Sequence, residues 1–97
     1  MKPSLALERH RERVHQVLAE FRMRNPRVFG STARGEDTEK SDLDILVDAP
    51  PDASLYDLAR LEIALEIVLG CKVEVLTEGF MAPDIRKRAT ADVISIP

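Results

Sequence analysis

Val14, Val17, Leu18 and Phe21 recur at i, i+3, i+4 and i+7, the repeat that lays one apolar stripe along a helix. The spacing predicts a helix over about residues 4–24, with Ser4 as N-cap and Asn25-Pro26 as its stop, because the residue before a proline avoids helical angles. The pattern then shortens. Arg27 to Phe29 reads as a brief strand running into Gly30-Ser31, and a second strand, about Asp42 to Val47, carries Leu43, Ile45, Leu46 and Val47 before Pro50-Pro51 closes it. Helical spacing returns over about 54–69, where Leu55, Leu58, Leu61, Leu65, Val68 and Leu69 share a face between a candidate cap, Ser54, and a stop, Gly70. Ile63 and Ile67 fall on the other side, one turn apart, as a contact patch or as ordinary burial. A third strand is expected at Lys72 to Leu76, with Val73 and Val75 on one face and Lys72, Glu74 and Leu76 on the other. Pro83 opens a short tail helix expected to reach Thr90 and to carry Arg86-Lys87-Arg88, and Val93 to Ile96 adds a final edge strand. The series describes an α/β fold of the α+β kind: a small mixed sheet with helices packed against it.

Composition narrows this to one small domain over residues 1–97, near the size at which a single core is only modestly stable and a partner helps. Hydrophobic residues make up 44% and charged residues 32%, as in soluble globular chains. No apolar run approaches the roughly 20 residues of a membrane span, and Met1-Lys2-Pro3-Ser4 leads straight into a charged helix, so neither membrane nor signal peptide is expected. The single cysteine, Cys71, cannot form an internal bridge and fits a cytoplasmic setting. His10 and His15 do not share a helix face and read as surface residues. Charge divides along the chain. Residues 1–27 are rich in arginine, whereas acids outnumber Lys40 and Arg60 over residues 36–66, which argues against nucleic-acid binding by the whole surface.

The candidate chemistry lies in GSTARGEDTEKSDLD, Gly30 to Asp44. Side chains two apart on a strand point to one face, so Asp42 and Asp44 stand side by side. Such a pair is costly without a cation between its members, and Mg2+ is the usual one, since it takes carboxylate oxygens and leaves positions for phosphate. Upstream, a strand that breaks at Gly30 and enters a helical turn offers free backbone N–H groups to an anion. Ser31 adds a hydroxyl and Arg34 a guanidinium suited to phosphate, although Arg34 also suits a surface ion pair. Phosphate cradle and metal carboxylates together point to a nucleoside triphosphate. Ser41 and Asp48 read as turn and surface residues. Glu74, a charge amid a short strand, is a third carboxylate for the site or a solvated side chain.

Gly-Ser, ten residues, then Asp-x-Asp resembles the motif of the DNA polymerase beta nucleotidyltransferase superfamily. The wording GSTARGE…SDLDILVD is similar to its smallest members, the minimal nucleotidyltransferases that act as antitoxins beside HEPN ribonuclease toxins. The resemblance spans nearly the whole chain and implies a polymerase-beta-like fold. It implies two Mg2+ ions held by Asp42 and Asp44, one of them shared with Glu74, and ATP as substrate positioned by Gly30, Ser31 and Arg34. The family usually carries aspartate where this chain has Glu74. No further domain for a DNA template, tRNA or aminoglycoside is expected in residues 1–97, so the acceptor is expected from a partner. By the resemblance that partner is a HEPN toxin, modified with AMP on a tyrosine hydroxyl beside its ribonuclease site. A binding antitoxin without catalysis, and a transferase for an unrelated acceptor, are the other readings.

Overall fold

In the computed structural model, which describes residues 1–80, 83–84, 86–87 and 92–96, the leading helix is two helices. α1 spans Pro3–Arg9 and α2 spans Arg11–Glu20, parted at His10, whose backbone leaves the helical well at φ −111° and ψ 23°. The run Glu8 to Arg13 contains no apolar side chain to pin the intervening turn to the core, and tertiary packing is what holds most protein helices. Ser4 is not the cap. Lys2 takes that place with Pro3 at the first helical position, and the Ser4 backbone N–H donates to Asp37 Oδ2 at 2.8 Å.

α2 ends before the Asn25-Pro26 stop because Arg22 turns left-handed, at φ 59°. Arg22 N–H donates to Ala19 O and Met23 N–H to Leu18 O, both at 3.0 Å. This is the paired closure of a Schellman motif, with Leu18 and Met23 as its buried apolar contact. The strand after it, β1, is therefore longer than expected: Arg24–Phe29. It absorbs Pro26 at an irregularity between Arg24 and Arg27, where Asn25 is also left-handed at φ 50°. β2 (Leu43–Asp48), α3 (Leu55–Leu69) and β3 (Val73–Leu76) follow within a residue or so of expectation. Ser54 and Asp57 form a capping box at the head of α3, and Gly70 caps its end at φ 72°. Leu55, expected on the buried face, is 63% exposed, since as the first residue past the cap it precedes the stripe that Leu58, Leu61, Leu65 and Leu69 bury. β4 is Ile94–Ser95. Of the tail helix expected to Thr90, Pro83, Asp84, Arg86 and Lys87 are helical, and its other positions, Arg88 among them, lie outside the described residues.

The strands form one sheet in the order β3-β2-β1-β4, mixed as expected: β1 is antiparallel to β2 and β4, while β2 and β3 are parallel. Val28, Leu43, Ile45, Val47, Val73 and Val75 pack on one side with Val14, Val17 and Leu18 of α2 and the α3 leucines. At the end of the sheet, α3 sends two glutamates back to β3. Glu66 Oε2 accepts Val73 N–H at 3.1 Å and Glu62 Oε2 accepts Val75 N–H at 2.8 Å. Both donors that β3 turns away from β2 are thereby satisfied.

Candidate active site

The topology brings the end of β1 and the starts of β2 and β3 to one place. Asp44 lies opposite Phe29 on one side and opposite Glu74 on the other. Residues directly opposite across a ladder face the same way, and Asp42 joins them by alternation. Leu43 and Val73, the intervening positions, are buried in the core. Asp42, Asp44 and Glu74 thus share the face of the sheet turned from that core. Asp42 and Glu74 are exposed and Asp44 is half-buried. Burial first, then the charges of Glu74 and Asp42 and a hydrogen bond with Glu74, push the Asp44 carboxyl up to about 6.

Gly30 follows β1 with φ 72°. A Cβ built there would stand 2.7 Å from Asp44 Oδ2, so the absence of a side chain lets the loop and the carboxylate meet. The loop then closes on itself. Arg34 N–H donates to Gly30 O at 3.2 Å, Gly35 N–H to Thr32 O at 3.2 Å and Glu36 N–H to Ser31 O at 2.9 Å. It makes a single turn rather than a helix. Ser31 is half-buried at the head of that turn. Thr32 Oγ1, which sequence reasoning passed over, is buried with no hydrogen-bond partner among the described residues. An unpaired buried hydroxyl costs about 1–3 kcal/mol, so the loop holds a hydroxyl that a small rearrangement around an anion would satisfy.

Arg34 forms the surface pairs the sequence also allowed: Nε lies 3.3 Å from Glu36 Oε1 and Nη1 lies 3.7 Å from Asp92 Oδ2. Ser41 and Asp48 keep structural roles. Ser41 Oγ accepts Thr38 N–H at 2.8 Å, and Asp48 holds Arg27 at 2.6 Å. Asp37 was not foreseen. It is 6% exposed, and by accepting the Ser4 N–H it ties the loop between Ser31 and Asp42 to the start of α1. Nothing in the local sequence signals this, because the partner lies 33 positions away.

Among the described residues, no three His, Cys, Asp or Glu side chains converge as a ready-made metal cage. The donor set nonetheless fits Mg2+. The oxygens are hard, Asp44 is crowded by like charge, and a small cation relieves that crowding while completing its shell from substrate phosphates. A hollow lined by Phe21, Met23, Ala53 and Arg60 lies at the opposite end of the sheet and holds none of these groups.

Known proteins resemble the chain over nearly its full length. Residues 11–96 match the model of the nucleotidyltransferase domain family. A chain of Methanocaldococcus jannaschii assigned as a protein adenylyltransferase is 36% identical over 86 residues, which cover 89% of this chain and 92% of that relative. A solved structure assigned as a minimal nucleotidyltransferase is 41% identical and superposes with a TM-score of 0.80, covering 94% of this chain and 93% of its own. A solved structure of the tri-AMPylated Shewanella oneidensis HEPN toxin in complex with MNT antitoxin holds a chain that superposes with a TM-score of 0.72 at 14% identity, over 93% of this chain and 71% of that one. At that identity the likeness is one of fold.

Proposed function

The chain belongs to the nucleotidyltransferase domain family, and from that membership we propose that it transfers AMP from ATP to a tyrosine hydroxyl of a cognate HEPN toxin, which it thereby neutralises. The observation that carries this reading is the register Phe29–Asp44–Glu74, which brings the Gly30–Ser31 turn and the Asp42, Asp44 and Glu74 carboxylates together on one face of the sheet. The exposure of Asp42 and Glu74 suits an acceptor presented on another protein's surface. No helix among the described residues is long and apolar enough to cross a membrane, and we place the protein in the cytoplasm with its target. Names given to relatives support protein adenylylation, and the S. oneidensis complex supports a toxin partner.

In the proposed reaction the tyrosine oxygen bonds to the α-phosphorus, the bond from that phosphorus to the α–β bridging oxygen breaks, and pyrophosphate departs. Gly30 and Ser31 offer N–H and hydroxyl donors to the β and γ phosphates, and Arg34 releases Glu36 and Asp92 to join them. Asp42, Asp44 and Glu74 would hold two Mg2+ ions, which supply charge neutralisation at the phosphates and a more acidic acceptor hydroxyl. Glu74, on the side away from the phosphate turn, would hold the acceptor-side ion or receive the acceptor's proton. The Asp44 carboxyl, set against Gly30, fixes the distance between turn and acceptor.

Incubating the chain with α-labelled ATP, Mg2+ and the product of the adjacent gene should put label on that product at tyrosine. A binding antitoxin would form the complex and leave it unlabelled, an outcome to which Glu74 in place of the family's usual aspartate lends weight. Absence of both complex and label defeats the toxin reading.

A further inference from the structure

Lys72 stands at the head of β3 with an ammonium that no described residue engages. Leu43 N–H donates to Lys72 O at 2.8 Å, which extends the β2–β3 ladder one residue beyond Val73. In a parallel ladder this sets Lys72 beside Asp42 as Glu74 stands beside Asp44, and alternation puts all four on the same face. Lys72 is exposed and makes no ion pair or hydrogen bond through its side chain among the described residues. Its neighbours differ. Arg27, farther along the same face, is held by Asp48, and Arg34 by Glu36 and Asp92. A lysine left unpaired beside a carboxylate cluster is placed for an anion that arrives with the substrate.

The side of the site decides which anion. The Gly30–Gly35 turn follows β1 and receives the β and γ phosphates, so β3, across Asp44, borders the α-phosphoryl group and the incoming acceptor. We propose that Lys72 is a further substrate-contacting residue, its ammonium meeting the non-bridging oxygens of the α-phosphoryl group as the acceptor attacks. This rests on the nucleotidyltransferase reading. A flexible point charge suits the role better than a fixed fork, because those oxygens shift as the phosphorus inverts. Charge builds on them in the transition state, so the ammonium acts on turnover more than on ATP affinity.

The test uses the whole chain with α,β-methylene ATP and Mg2+, a nucleotide that cannot release AMP, observed by phosphorus NMR. Lys72→Met should move the α-phosphorus resonance of the bound nucleotide away from its wild-type position and leave the γ resonance in place. With ATP and the acceptor protein, the same variant should lose about 100- to 1,000-fold in kcat, as for removal of one transition-state donor, with KM for ATP changed less than about threefold. Propylammonium should restore part of the rate to Lys72→Ala, which no structural role for the side chain predicts. An unchanged α resonance with unchanged kcat makes Lys72 a surface residue and overturns the proposal. If the wild-type chain binds no nucleotide with Mg2+, the transferase reading itself fails and this inference with it.

Discussion

Gly30 and Asp44 meet with no room between them: an added Cβ at position 30 would lie 2.7 Å from Asp44 Oδ2. Two penalties fall on Gly30→Ala. The left-handed backbone at φ 72° becomes strained, and the carboxylate must swing aside. The expected outcome is a loss of roughly 1–3 kcal/mol in urea-unfolding stability together with loss of AMP transfer. Gly70→Ala is the control. It shares the φ of 72° but has open space around it, so it should lose stability and keep transfer.

Asp44 makes the metal-free protein less stable as pH rises. Its folded carboxyl is raised from 3.8 to about 6, so the folded state disfavours the ionised form. Well below pH 3.8 the group is protonated in both states and contributes nothing. Between pH 4 and 6 the penalty grows, and above that it is full. Asp44→Asn removes it. Allowing for solvent screening of a half-exposed group, the variant should be more stable than wild type by about 1 kcal/mol at pH 7.5, with only a small part of that difference left near pH 4. Denaturant titrations in EDTA at the two pH values check this. The same variant should transfer no AMP.

Glu74→Gln separates the acceptor side of the site from the phosphate side. We expect kcat to fall by about 100-fold or more, in the range of general-base effects, with ATP affinity nearly unchanged. Weakened ATP binding at normal kcat would make Glu74 a ground-state ligand.

ATP binding should depend on Mg2+. The site offers carboxylates and a phosphate turn, while aromatic residues are 4% of the chain and supply no evident platform for the base. Calorimetry with and without Mg2+ should show binding only with the metal. Equal binding in EDTA would leave Asp42 and Asp44 without their proposed role.

Ile63 and Ile67 are 59% and 80% exposed on α3, and Tyr56 at the same face is 71% exposed. Ile67→Glu should leave the isolated protein within about 0.5 kcal/mol of wild-type stability and weaken its complex with the toxin. Asp44→Asn should keep the complex. Co-purification and titration with the toxin check both, and an unweakened complex in Ile67→Glu would place the contact elsewhere.

The parts legible in the sequence were those encoded locally. The leucines of α3, the Ser54 cap and Gly70 each act within a turn or two of their own position, and the spacing from Gly30-Ser31 to Asp42 and Asp44 pointed to the residues that the sheet register brings together as a candidate site. The missed parts depend on distant contacts or unusual residues. Arg22 and Asn25 take left-handed angles that favour glycine, so the end of α2 and the start of β1 gave no signal. The burial of Asp37 depends on α1, and the reach of Glu62 and Glu66 depends on the packing of α3 beside β3.

The capture of Val73 and Val75 N–H by Glu66 and Glu62 also limits how other chains can approach. A terminal strand with free donors invites a foreign strand to extend the sheet, whether a partner peptide or another copy in an aggregate. Here the carboxylates occupy that rim as surrogate strand carbonyls, and β3 has no outward donor left to template an addition. Recognition on this side of the molecule is therefore by side chains against a folded surface. On the proposed reading, an acceptor would then reach the carboxylates from a folded surface and not from a strand added at β3.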